Sequence, residues 1–375
     1  MLCTLPRRVA PIPCGGPPGA KKVRNDAPRD GRKPGTRARR TGPPDSARDG
    51  GDGATATTAA GHDGRMDEEL LALLRAGAPG IAPAPDARSV MVDVNGVRLH
   101  VVQAGPPSGP LALLLHGCPE FWWGWRHQIG ALAASGFRVW VPDQRGYGGS
   151  DRPAGVRAYR IDRLMEDAAG LIAAAGRQRA CVVGHDWGGG VAWWLALHRP
   201  ELVERLAVLN APHPLVMRRA LLTSPRQMAR SWYMLLFALP GLPQALFGAR
   251  NGALWARALR QTSRPGTFDE ETLAPYRRSW ARPGALRAMF HWYRGLIGQA
   301  APRASRVAAP TLLLWGARDV ALGRELAASS LAWCDDGRLE LVQTATHWIQ
   351  HEQPALVSAH LLRHLQPAAT SATSR

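Results

Sequence analysis

Residues 182–189 read Val182, Val183, Gly184, His185, Asp186, Trp187, Gly188, Gly189: an apolar run ends in Gly-x-Asp-x-Gly and passes into a helix-forming stretch. Glycines two before and two after a central residue mark a strand-to-helix turn so sharp that side chains there would collide with neighbouring backbone. The turn lifts Asp186 to the edge of a sheet. An acidic N-cap on the following helix would place an aspartate at the same spot, so the turn alone leaves that reading open. As a nucleophile the carboxylate selects its chemistry. Attack on a carbonyl gives a reactive anhydride, whereas attack on an sp3 carbon gives an ordinary ester that water can later hydrolyse. Epoxides and alkyl halides fit that demand; ordinary esters and amides do not.

Outward from this turn, two more polar residues follow in the chain order nucleophile, acid, histidine. Asp319 lies just past the apolar run Leu312, Leu313, Leu314, Trp315, and His347 follows the strand-like Leu339 to Val342. Groups that each stand just beyond a strand meet at one edge of a parallel sheet, where open α/β sheets bind ligands. Upstream, His116, Gly117, Cys118 and Pro119 come directly after the strand Leu111 to Leu115. The backbone N–H groups of Cys118 and Trp187 are the expected oxyanion hole, holding the charge that develops when water attacks an aspartyl ester. The Cys118–Pro119 bond is a candidate cis peptide. His116 and His185 are expected to be scaffold hydrogen-bonders. His351 competes with His347 for the role of base, but it runs into Glu352, Gln353 and Pro354 at a helix start, which favours His347.

The segments His116 to Gln128 and Asp143 to Asp151, together with the turn at Asp186, resemble the epoxide hydrolases of the α/β hydrolase superfamily over residues 88–366. The resemblance implies an eight-stranded, mostly parallel sheet with helices on both faces and an inserted helical cap. It makes Asp186 the nucleophile and Asp319 with His347 the charge relay. Two cap tyrosines would hold the epoxide oxygen: Tyr233, in an aromatic run ahead of Pro240 and Gly241, and Tyr293, just before Arg294. A phenol, with an unperturbed pKa near ~10, stays protonated at neutral pH yet donates as charge develops on a departing oxygen. His347, oriented by Asp319, then activates water to release a vicinal diol. No metal or organic cofactor is required. Pro119, Trp122, Trp232, Met234 and Trp348 are the expected substrate contacts. Cys118 departs from the family, which usually carries an aromatic residue there, and Met234 stands where some relatives have glutamine.

Haloalkane dehalogenase is the alternative, since it shares the aspartate nucleophile and an adjacent tryptophan whose indole N–H holds a halide. That family often has asparagine where this chain has Cys118, and the two tyrosines favour an epoxide. A noncatalytic binding protein on the same fold is disfavoured because nucleophile, acid, base and oxyanion positions are all filled.

Composition sets the organisation. Residues 1–65 hold 13 Lys+Arg against 6 Asp+Glu, with no run able to form a core, and are expected to be a disordered tail or a misassigned start ahead of Met66. Residues 66–212 read as the first part of the α/β core, 213–305 as the helical cap, 306–366 as the second part, and 367–375 as a disordered C-terminus. All three lysines lie in the tail, and the net charge of +18 divides into +7 for the tail and +11 for the remainder. Attraction to anionic surfaces follows. A nucleic-acid role is disfavoured, because aspartates interrupt the charge and the tail has no aromatics to stack. No apolar stretch before residue 65 suits a signal peptide. Five scattered cysteines fit a reducing compartment, hence a cytoplasmic location, and the oligomeric state stays open between monomer and homodimer. Strands are expected at Val90 to Asp93, Val97 to Val102, Leu111 to Leu115, Phe137 to Val141, Ala180 to Val183, Leu206 to Leu209, Thr311 to Leu314 and Arg338 to Val342. Fourteen tryptophans, with Trp122, Trp123, Trp187 and Trp232 near the expected pocket, favour a lipophilic substrate.

Overall fold

Short apolar runs bounded by glycine, proline or polar turns build one eight-stranded sheet in the computed structural model, which describes residues 60–302 and 306–366. The strands are β1 (Arg88–Val94), β2 (Val97–Ala104), β3 (Leu111–Leu115), β4 (Arg138–Pro142), β5 (Ala180–His185), β6 (Val203–Leu209), β7 (Thr311–Gly316) and β8 (Gly337–Val342). Their spatial order is β1-β2-β4-β3-β5-β6-β7-β8. The pairs β1/β2 and β2/β4 are antiparallel, and every later pair is parallel. Helices cover both faces of the parallel part, so β3, β5 and β7 are buried at every residue and show no alternation. At the edge, Asn95 and Gly96 take positive φ values of 48° and 74°, as a two-residue hairpin demands. All eight expected strands are present.

Between β6 and β7 the described chain is helical: Pro214–Thr223, Pro225–Arg230, Trp232–Ala238, Leu242–Thr262 with a kink at Ala249 to Gly252, Glu270–Trp280 and Ala285–Gly295. Proline in the first turn opens three of the first four, where its missing N–H costs nothing. The insertion has its own aromatic interior. Phe237, Phe247, Trp255 and Phe290 stack or meet edge-on, with centroid separations between 4.4 and 6.1 Å. Leu235, Leu246 and Leu254, by contrast, are exposed.

The N-terminal helix runs Ala60–Ala76, so it starts ahead of Met66, inside the expected tail. Met66, Leu70, Leu71 and Leu74 bury its apolar stripe, and extending a helix already anchored in this way costs far less than nucleating one. The rest of the expected tail and residues 367–375 lie outside the described residues.

Candidate active site

The carboxyl ends of five neighbouring strands supply the site: Cys118 follows β3, Asp186 β5, Asn210 β6, Asp319 β7 and His347 β8. At the turn after β5, a Cβ on Gly184 would lie 2.3 Å from the Gly188 carbonyl oxygen, and one on Gly188 would lie 2.1 Å from that of Leu115. Only glycine fits either position. Asp186 itself sits at φ 49° and ψ −117°, a strained conformation held by the surrounding backbone. Its side chain makes no capping bond to the helix Trp187–His198, which answers the N-cap reading. Instead Oδ1 accepts the Cys118 N–H at 2.9 Å, and Oδ2 lies 3.5 Å from His347 Nε2. The Cys118–Pro119 bond is cis.

His347 Nδ1 lies 2.7 Å from Asp319 Oδ2. Asp319 is fully committed, since Asn210 Nδ2 donates to the same oxygen at 2.7 Å and the Ala321 and Leu322 N–H groups donate to Oδ1 at 2.8 and 2.9 Å. Burial would raise its pKa, but His347 and these donors outweigh it and hold the carboxyl below the usual range. Burial likewise opposes charge on His347, and the carboxylates of Asp319 and Asp186 prevail, so its proton is held well above the ordinary histidine range.

Beneath the His347 loop lies a buried polar cluster that sequence reasoning missed. Glu120 Oε2 is 2.9 Å from His185 Nδ1, and His185 Nε2 is 2.9 Å from the His347 carbonyl oxygen, so Nε2 carries the proton. Glu120 Oε1 is 2.6 Å from His351 Nε2, while Arg126 donates to His351 Nδ1 at 3.1 Å. His185 and His351 are thus scaffold groups. His116 is one too, its Nε2 accepting the Gln144 N–H at 3.0 Å. The one sequence signal for Glu120 was an acid set against the aromatic run Phe121 to Trp125.

Two cavities meet at Asp186. One, of about 610 Å³, is lined by Cys118, Pro119, Trp232, Trp348 and His347; the other, of about 580 Å³, by Trp187, Met234 and Met217. Tyr233 and Tyr293 line both, their ring centroids 6.3 Å apart. Burial first, then the charge of Asp186, raises the Tyr233 hydroxyl above its ordinary pKa; burial with Cys118 and Asp186 does the same at Tyr293. Of the residues expected to contact substrate, Pro119, Trp232, Met234 and Trp348 line the cavities. Trp122 does not. It is fully buried with its indole N–H on Asp67 Oδ1 at 3.3 Å, because the 3₁₀ turn Trp122–Trp125 points it into the core, and Trp123 is buried beside it. Among the described residues no cluster of histidine, cysteine, aspartate or glutamate is arranged to hold a metal.

Residues 110–354 match the family model described as alpha/beta hydrolase fold. The AB hydrolase superfamily protein YfhM of Bacillus subtilis is 44% identical over 272 residues, covering 72% of this chain and 95% of that protein. Epoxide hydrolase A of Mycobacterium tuberculosis is 35% identical over 320 residues, covering 74% and 97%. Among solved structures, the Bacillus megaterium epoxide hydrolase in complex with an inhibitor superposes with a TM-score of 0.68 at 29% identity, covering 74% of this chain and 99% of that one.

Proposed function

The chain belongs to the epoxide hydrolases of the alpha/beta hydrolase fold, and on that premise we propose that it converts a lipophilic epoxide to a vicinal diol through an ester on Asp186. The observation that carries the assignment of Asp186 is its division of labour, with one oxygen on the Cys118 N–H and the other facing His347. Oδ2 attacks a ring carbon, the C–O bond breaks, and Tyr233 or Tyr293 donates a proton to the departing oxygen. Esterification removes the negative charge of Asp186, one of the two that hold the proton on His347. The imidazolium then returns its proton to the tyrosinate left by ring opening, and the neutral imidazole serves as base. His347 takes a proton from water, the hydroxide adds to the ester carbonyl carbon, and Oδ1 becomes the oxyanion under the Cys118 and Trp187 N–H groups. Collapse breaks the bond to the alkyl oxygen, which takes the proton from His347; the diol leaves, and the proton remaining on the Asp186 carboxyl passes to His347, restoring the carboxylate and the imidazolium. The insertion at 213–305 acts as the cap, bringing Tyr233 and Tyr293 over the nucleophile. The three described cysteines, all buried free thiols, support a reducing, cytoplasmic setting.

Trp187, which lines the smaller cavity beside Asp186, is the feature that a haloalkane dehalogenase would use. One experiment separates the two. The purified protein is offered a styrene oxide-type epoxide and, separately, a 1-bromoalkane. Diol release without bromide supports the proposal; brisk bromide release with no diol overturns it.

A further inference from the structure

The helical insertion carries an apolar face that no described residue covers. Trp232 and Leu235 are 62% and 77% exposed, and Leu239 continues the same side of the chain at spacings of three and four; Leu242 and Leu246 repeat the pattern in the next helix. The helices Trp232–Ala238 and Leu242–Thr262 meet at 99°, and no single described helix is long and apolar enough to cross a membrane. A face of this kind suits burial at an interface rather than a span.

Its charge is one-sided. Residues 214–268 hold eight arginines and no aspartate or glutamate. Arg260 pairs with Glu270, just outside that segment, but Arg230 and Arg257 line the larger cavity with the exposed Trp232 and Leu254. A second copy of the chain docked by a two-fold on this face would set the arginines of one 214–268 segment against those of the other, which brings no acid to meet them, so self-association is electrostatically opposed. An anionic lipid surface complements it: the apolar side chains enter the acyl boundary, tryptophan sits at headgroup level, and arginines meet phosphates.

We propose that this face docks on anionic lipid bilayers, with the mouth at Arg230, Trp232, Leu254 and Arg257 turned toward the acyl chains, so that apolar epoxides pass from the membrane to Asp186. The docking stands on its own; the substrate route rests on the hydrolase reading above.

The test is co-sedimentation of the full chain with vesicles of phosphatidylcholine alone or with one third phosphatidylglycerol. The chain is expected to pellet with the mixed vesicles, to release as salt rises, and to bind pure phosphatidylcholine far less. Leu235→Asp with Leu242→Asp removes binding while leaving hydrolysis of a water-soluble epoxide, measured without vesicles, at the wild-type rate, since neither residue lines a cavity. Arg230→Gln with Arg257→Gln weakens partitioning about 25-fold, at about fivefold per arginine. Equal binding to both vesicle types, or wild-type sedimentation of the Leu235→Asp/Leu242→Asp variant, overturns the proposal. So does an absence of vesicle binding; where it comes with a dimer that the same pair of substitutions dissociates, the face is a contact between copies. Failure of the hydrolase reading would show instead in the vesicle-free diol assay.

Discussion

Replacing Tyr233 and Tyr293 together by Phe tests how the opening oxygen is neutralised. The rings should stay in place: that of Tyr293 packs 4.9 Å from Phe237 and 5.1 Å from Trp187, and that of Tyr233 5.5 Å from Phe237. Only the two hydroxyls are lost. Both are held protonated, because burial and the negative charge of Asp186 each disfavour a phenolate. A donor aimed at developing charge in a water-poor site contributes about 3–4 kcal/mol, a factor of roughly 10²–10³ in rate. Either single substitution leaves the second hydroxyl within reach and should cost about a hundredfold. The double substitution leaves the alkoxide with no donor from the insertion and should cost at least about 10⁴, the product of two such factors. Alkylation is read by quenching a single turnover of an aryl epoxide and following ester on the protein by mass. A double variant that alkylates within tenfold of wild type refutes the assignment.

Three further outcomes follow from the geometry. His347 is held protonated more tightly in the folded protein than at the unfolded value of about 6.5, so its contribution to stability is complete below that pH and is lost as pH rises through the folded value. Tm should therefore fall on raising pH above neutrality, and Asp186→Asn, which removes one of the two partner charges, should flatten that fall; an unchanged slope contradicts the pairing. Glu120→Ala leaves His185 and His351 buried without their carboxylate, and Arg126, which reaches it through His351, without its counter-charge; it should lower unfolding free energy by about 3–5 kcal/mol in urea titration. Trp122→Phe should lower Tm through the lost bond to Asp67 while leaving KM unchanged, whereas Trp232→Ala should raise KM with Tm intact.

The strands were legible because a strand buried on both faces is written locally, as in Leu111 to Leu115 or Thr311 to Leu314. Asp186 was legible because the strain of its turn leaves a glycine at each side. Asp319 and His347 followed because chain order and strand ends place them. Asn210 and Glu120 were not legible, since their roles are pairings across the fold: Asn210 meets Asp319 109 residues away, and Glu120 meets His351 231 residues away. Trp122 was misplaced because nearness to Pro119 in sequence does not survive one turn of 3₁₀ helix. The helical insertion could be recognised by its missing alternation, but which of its leucines face solvent depends on how its helices pack together.

The most direct measurement is the intact mass of the His347→Gln protein after mixing with an aryl epoxide. If Asp186 is the nucleophile and His347 the base, alkylation proceeds and hydrolysis stalls, so the mass rises by that of one epoxide and the modification maps to the peptide carrying Asp186. An unmodified His347→Gln protein that turns over at the wild-type rate, or an adduct on any other residue, contradicts the account.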